Sequence, residues 1–426
     1  MYGIGPHAAH ARLRTRPEAM TCRTFQLALL TIAFALSNAF RTIPSITASG
    51  IAPELHVGPT GLALFGGAFH WGFALMQIPV GIALDIFGPR RTVITMSWAA
   101  VAGGFICAFA PNVTVLCLGQ AVVGFGCAPA FMAGLVFIAR HWPPRAFANI
   151  SGIVLAAGGA GMLVTATPLA WLVEQWSWRA GFLVLAALVG LTTLGCVAVL
   201  EKSGRTHTGH LLSAVRDAFA GLGPVLTGRR ALALTSLGLV CYGTAIAIRG
   251  LWLVPMFVER HGLSLIAAGN IALIVSVAMI VAPALAGRID PGEKGRAPVI
   301  AVMSFGFAAT VGVLAFTGGL PLWVNVVVIL LFGILSGYVV LAYAEVRSSY
   351  PPELTGRGLT AFNMVLFVGA ALAQSLSGAI GSAAEAVGFN AIDAVLLFLA
   401  ASLTLGTIGF AWLIAGTKPW SAQAGV

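Results

Sequence analysis

Charge is scarce in this chain. Asp, Glu, Lys and Arg together make up 8% of its 426 residues, only 13 residues are acidic, and hydrophobic residues account for 59%. A soluble domain carries roughly 25% charged residues. So few charges cannot cover a protein of this size in water, and a soluble globular fold is excluded. Cysteine is sparse as well. The six cysteines form no CxxC pair, and Cys107, Cys117 and Cys127 recur at a ten-residue step that sends them to different faces of a helix. They read as small apolar residues, with no disulfide framework or metal site. Catalytic signatures are missing too: there is no P-loop, no H-E-x-x-H, no G-x-S-x-G and no acidic pair within an apolar run. These absences argue against direct drive by ATP, against an enzyme and against a resident cofactor.

What the chain has is long apolar runs. In hydrocarbon every backbone N–H and C=O must be satisfied inside the protein, so only helices and closed barrels span. The runs are continuous rather than alternating and about 20 residues long, which is the length of a membrane-crossing helix. They predict an all-α integral membrane protein with twelve spans near 25–47, 60–84, 92–110, 115–139, 147–173, 179–200, 231–257, 264–288, 297–318, 322–346, 357–382 and 391–415. The first run is longer than the apolar stretch of a signal peptide and counts as a span, whether the chain starts at Met1 or Met20. Short loops make neighbouring helices antiparallel.

Nineteen of the 23 Lys and Arg residues fall in the tails and even-numbered loops. By the positive-inside rule both termini are cytoplasmic, in a multi-pass protein of the cell inner membrane. The basic excess is thus explained without nucleic acid as a partner. The four arginines outside the rule are Arg41, Arg179, Arg249 and Arg260.

The two halves repeat. Pro143-Pro144 and Pro351-Pro352 are 208 residues apart, as are Arg41 and Arg249; Arg140 and Arg347 are 207 apart, Asp85 and Asp290 205. Four landmarks at nearly one offset point to a duplicated six-helix unit. The expected domains are a tail (1–24), a first bundle (25–200), a linker (201–230), a second bundle (231–415) and a tail (416–426). Within the linker, residues 211–219 have the pattern of a short amphipathic helix. Such duplication is common in secondary transporters, with the substrate at the interface near the midplane.

Gly81-Ile82-Ala83-Leu84-Asp85-Ile86-Phe87-Gly88-Pro89-Arg90-Arg91 resembles the loop signature of the major facilitator superfamily, G-x-x-x-D-[RK]-x-G-[RK]-[RK], and lies between spans two and three as in that family. Gln77 to Gly81, Trp178-Arg179 and Arg249-Gly250-Leu251-Trp252 add to the likeness, which covers essentially the whole chain. The resemblance implies the family's fold of two pseudo-symmetric six-helix bundles. It also gives Gly81, Asp85, Gly88, Arg90 and Arg91 a gating role, with Asp85 meeting the start of span eleven. Asp290, Glu293 and Arg296 form a degraded copy in the second half. There are departures. Ile86 replaces a basic residue. Gln120 stands where the second family motif has an Arg tied to proton coupling. Gly158-Gly159-Ala160-Gly161 lacks the antiporter pattern and reads as a close helix contact.

Ionisable residues inside a membrane are costly, about 2.5–3.5 kcal/mol for Arg on insertion scales. Arg41 and Arg249 sit at equivalent depth in spans one and seven, which line the family's central cavity. Two guanidinium groups facing each other would clamp an anion through paired hydrogen bonds. Snorkelling to the surface and pairing with helix ends are the bland alternatives. Asn38 and Ser45 share the face of Arg41, and Tyr242 that of Arg249. His70 is the candidate proton-coupling residue or else a buried structural histidine; Gln77 shares its face. Tyr338 and Asn363 complete the expected substrate-binding set, with Trp71, Tyr343 and Gln374 as further possible lining. The sequence thus reads as a monomeric secondary active transporter with membrane lipids around it. It moves a small organic or inorganic anion, taken up with protons by alternating access. The alternatives are a carrier of a neutral solute, drug or copper, and a non-transporting receptor or assembly factor on the same fold.

Overall fold

A computed structural model describes residues 17–201 and 227–417. The segment 211–219 therefore lies outside the described residues. Among the described residues, twelve helices are long and apolar enough to cross a membrane: α1 (Thr21–Glu54), α2 (Pro59–Leu84), α3 (Ile86–Ala108), α4 (Val113–His141), α5 (Asn149–Gln175), α6 (Trp178–Val199), α7 (Arg229–His261), α8 (Leu265–Arg288), α9 (Arg296–Phe316), α10 (Leu322–Ser349), α11 (Leu354–Ala386) and α12 (Ala391–Ile414). No strand occurs among the described residues. The protein is a multi-pass membrane protein.

Helix α1 begins and α12 ends on the same side, called here the terminal face; the opposite side is the distal face. Four helices that start at the distal face carry side-chain caps. Asn112 accepts from Val115 N at 3.0 Å, Ser177 from Ala180 N at 3.4 Å, Ser264 from Ala267 N at 3.1 Å, and Asn390 from Asp393 N at 3.0 Å. Each cap satisfies an N–H that the first helical turn leaves without a partner. Gly262, at φ 62°, ends α7 in the left-handed conformation open to glycine.

Two boundaries differ from the sequence expectation. Helix α1 runs through Pro44 and on to Glu54, a turn and more beyond the apolar run. The segment expected as a loop between spans two and three is helical on both sides of Gly88, the one residue there with non-helical backbone angles (φ 77°). A side chain at that φ would be strained, so glycine is required.

Spans 1–6 and 7–12 each pack together, α1 along α6, α7 along α11 and α12, and α9 along α12. The halves meet where α2 packs along α11, α1 crosses α7, and α5 crosses α8. Toward the distal face this interface is tight and polar. Thr60 Oγ1 meets Ser382 Oγ at 2.7 Å and Gly378 O at 3.2 Å; Thr167 Oγ1 donates to Asn270 at 2.6 Å; Ile266 N donates to Glu174 at 2.9 Å. A Cβ on Gly378 would lie 2.2 Å from Ala63 Cβ, so glycine there lets α11 close on α2. Past the Asn363–Gln77 hydrogen bond, toward the terminal face, α2 and α11 meet through Ile78, Ile82 and Met364. The distal face is the one closed by hydrogen bonds.

Candidate functional site

The backbone departs from regular helix where α1, α5 and α7 converge. Helix α7 contains one π-helical turn, Ile248–Trp252, which includes Arg249. Such turns leave a carbonyl without its usual partner; Ile246 O accepts instead from Gln374 Nε2 at 3.4 Å. Helix α5, together with the turn that leads into it, is broken into Pro144–Gly159, Gly161–Val164 and Thr167–Gln175. The glycine-rich run at its first break packs directly on α1: a Cβ on Gly158 would lie 1.9 Å from Phe34, and one on Gly161 1.8 Å from Ala35 O. The close helix contact read from the sequence is there. The break itself carried no signal that periodicity resolves. Its carbonyls are used: Gly158 O accepts from Asn38 Nδ2 at 3.1 Å, and Met162 O accepts from Arg249 Nη2 at 2.9 Å.

Arg41 and Arg249 are both buried, at 5% and 0% exposure. They lie at one level, because a Cβ on Gly250 would be 3.3 Å from Arg41 O. Each reaches into the opposite half. Arg41 Nη1 donates to Tyr242 Oη at 2.7 Å and to Asn38 Oδ1 at 3.0 Å, while Arg249 Nε donates to Ser276 Oγ at 2.6 Å and Nη2 crosses to Met162 O. The two side chains therefore have separate partners, and the facing clamp expected from sequence is not formed in this state. Arg41 Nε and Arg249 Nη1 are buried without a hydrogen-bond partner. Around the Arg41 guanidinium stand the rings of Phe367, Phe73 and Phe69, at 4.9, 5.3 and 5.7 Å from its central carbon. Neither arginine is paired with a carboxylate among the described residues. An unpaired buried charge is expensive, and cation–π contact offsets only part of that cost.

The other expected residues divide. Asn38 and Tyr242 join Arg41 directly. Ser45 is buried on the same helix with an unpartnered hydroxyl. His70 stacks against Phe367 at 6.3 Å, which places it beside the same ring as Arg41, and its Nε2 is buried with no hydrogen bond to any group beyond Gln374. Asn363 bridges the halves: its Nδ2 donates to Gln77 at 2.8 Å and its Oδ1 accepts from Tyr343 at 2.7 Å. Trp71 Nε1 reaches Ser375 Oγ at 3.4 Å. Tyr338 belongs to a different set. Its hydroxyl meets Ser304 at 3.1 Å, and Ser304 meets Thr407 at 2.6 Å, a chain of hydroxyls internal to the second half. A buried phenol must find a partner, and this one finds it away from the arginines.

Of the residues expected to gate, Arg90 Nη2 donates to Val197 O at 2.8 Å, capping the end of α6 within its own half. Arg91 is exposed. Gly88 has the positive φ already noted, whereas a Cβ on Gly81 would meet nothing within 4 Å. The side chain of Asp85 lies outside what is described. In the second half Arg296 holds both oxygens of Asp290, at 2.9–3.1 Å. Its hydrogen bonds keep the Asp290 carboxyl below the usual carboxylate range. Arg296 also lies 3.6 Å from Glu345, which pairs with Arg230. Sequence reasoning missed Glu345, a carboxylate 1% exposed and one turn from the end of α10. The phenyl wall was missed too, since its rings come from α2 and α11 and only the fold brings them together.

The geometry is a buried, cationic, aromatic-walled seam between two pseudo-symmetric bundles. The sequence matches the Major Facilitator Superfamily over residues 27–374. The chain belongs to that family. It is a transporter, not an enzyme. It is 23% identical to the probable galactarate/D-glucarate transporter GarP of Escherichia coli, over 93% of this chain and 96% of that one. It is 26% identical to a gentisate transporter of Corynebacterium glutamicum, over 78% of this chain and 75% of the relative. Among solved structures, the D-xylose-proton symporter shares the fold, with a TM-score of 0.74 at 13% identity, covering 91% of this chain and 97% of that one. The nucleoside transporter NupG does likewise, with a TM-score of 0.72 at 14% identity and coverage of 92% and 99%.

Proposed function

We propose that this facilitator carries a small organic anion by alternating access, with Arg41 anchoring the negative charge and Arg249 adding to the field. The carrying observation is that two guanidinium groups are buried at the interface of the halves with no carboxylate to balance either among the described residues. A carboxylate on the solute supplies that balance, and guanidinium is the side chain best shaped to hold one. The relatives named for galactarate, D-glucarate and gentisate handle organic acids, in keeping with this reading. Arg41 reaches Tyr242, and Arg249 reaches Met162 O, so each bond must break when the halves rock apart; an anion arriving at the guanidinium compensates the loss.

His70, buried beside the Arg41 cluster, is the group for uptake with a proton. Asp85, Arg90 and Arg91 gate the terminal face, which faces the cytoplasm of an inner membrane because the basic residues of the chain concentrate there. The transporter works as a monomer among lipids. The test is counterflow in proteoliposomes against labelled organic acids, inorganic anions, neutral sugars, nucleosides and copper. Exchange of an organic acid, stimulated by an acid outside pH and insensitive to that pH in His70→Gln, is the expected result. Exchange of neutral solutes alone would overturn the anion reading. Acid exchange unaffected by pH would remove the proton.

A further inference from the structure

The polar side chains nearest Arg41 are almost all engaged by the protein itself. Asn38 gives its Oδ1 to Arg41 and its Nδ2 to Phe34 O and Gly158 O. Thr42 bonds to Thr165 and to Asn38 O. Gln77, Asn363 and Tyr343 satisfy one another in a chain. What remains around the guanidinium is mostly apolar and flat: Phe69, Phe73 and Phe367, with the Tyr242 ring 5.4 Å from that of Phe367; on its own helix the hydroxyls of Ser37 and Ser45, one turn to either side, are buried without a partner.

Two further polar atoms there have no hydrogen bond to any third group, His70 Nε2 and Gln374 Oε1, on side chains that are both 0% exposed and that interact with each other. Both flank Gly66. His70 Nδ1 lies 3.3 Å from Gly66 O, and Gln374 Oε1 lies 3.4 Å from the point a Cβ on residue 66 would occupy. One charge, a wall of rings and one such polar corner define a ligand.

Building on the anion reading, the geometry points to an aryl carboxylate as the substrate class. Its carboxylate sits on Arg41, its ring lies against Phe73 and Phe367, and it carries no more than one or two ring hydroxyls, which meet His70 and Gln374. A polyhydroxylated acid fits poorly. Each of its hydroxyls leaves water and needs a partner, and phenyl rings offer none. Aromatic rings packed on aromatic rings gain stabilisation beyond their buried area, and the same rings already shield the guanidinium.

The test is a thermal-shift titration of the purified full chain with benzoate, 3-hydroxybenzoate, galactarate and glucose. The expected order of affinity is 3-hydroxybenzoate, then benzoate, then galactarate, with no shift from glucose. Phe367→Leu keeps an apolar side chain of similar bulk and should weaken benzoate about fivefold. If Phe367→Leu does not fold, Phe73→Leu serves in its place, and the order of ligands on the wild type stands without either variant. Galactarate binding more tightly than benzoate, or benzoate affinity unchanged in both leucine variants, would overturn the aryl assignment while leaving an anion carrier. Stabilisation by glucose and by none of the three acids would overturn both.

Discussion

Four arginines break the rule that places basic residues at the terminal face, and they fall into two contrasting pairs. Arg179 and Arg260 lie at the distal ends of the bundles, one in each half. Arg179 pairs with Glu54 at 2.6 Å and donates to Ala108 O and Ala110 O at the end of α3. Arg260 pairs with Asp393 and donates to Leu314 O at 2.8 Å, at the end of α9. Each joins three helices of its own half, satisfies free carbonyls of a helix C-terminus and answers the negative end of that helix. Arg41 and Arg249 do the opposite. They lie deeper, their bonds cross between halves, and no acidic residue balances them among the described residues. The same residue type serves as a clamp where a carboxylate stands opposite, and where none does it is the proposed receptor for the anion.

That contrast orders the expected effects. Removing the guanidinium in Arg41→Ala should lower affinity for a transported anion by about a hundredfold, corresponding to roughly 3 kcal/mol for a charge-assisted pair. The protein should still reach the membrane; transport at the wild-type rate would break the distinction. Arg260→Ala comes next. It strands Asp393, which is 28% exposed, and should cost about 1–3 kcal/mol of stability, read as a lowered melting temperature with anion affinity unchanged. Arg179→Ala should cost less, at most about 1 kcal/mol, because Glu54 is 46% exposed and water screens the pair. An equal loss in both variants would mean that exposure does not govern the clamps.

The smallest effect is acid sensitivity at the terminal face. Arg296 holds the Asp290 carboxyl below its ordinary range, so this contact stabilises the fold above the unfolded-state carboxylate pKa and fades as pH falls through the lowered one. Melting temperatures of Asp290→Asn and wild type should therefore converge at acid pH. A gap that stays constant from neutral to acid pH would count against it.

Much of the fold was legible because a bilayer asks only for length and apolarity, and each of the twelve runs answered to both. The repeat was legible through Arg41 and Arg249, whose shared offset survives as a shared level in the structure. Their partners were not. Helical spacing put Tyr242 on the face of Arg249, yet its hydroxyl meets Arg41 from the other half; Met162 O is a backbone atom released by a break in α5, and no side-chain pattern encodes it. Nothing in the sequence singles out Phe69, Phe73 and Phe367; only the packing of α2 along α11 brings their rings around Arg41. Tyr338 misled for the converse reason. A polar residue in a central span can face its own bundle, and only the positions of Ser304 and Thr407 say so.

The most direct test is a binding titration of an organic anion to four purified proteins: wild type, Arg41→Ala, Arg179→Ala and Arg260→Ala. Anion binding lost in Arg41→Ala and kept in the two clamp variants is the predicted result. Binding retained in Arg41→Ala, or lost equally in all three variants, would contradict the claim that the uncompensated arginine receives the substrate's charge.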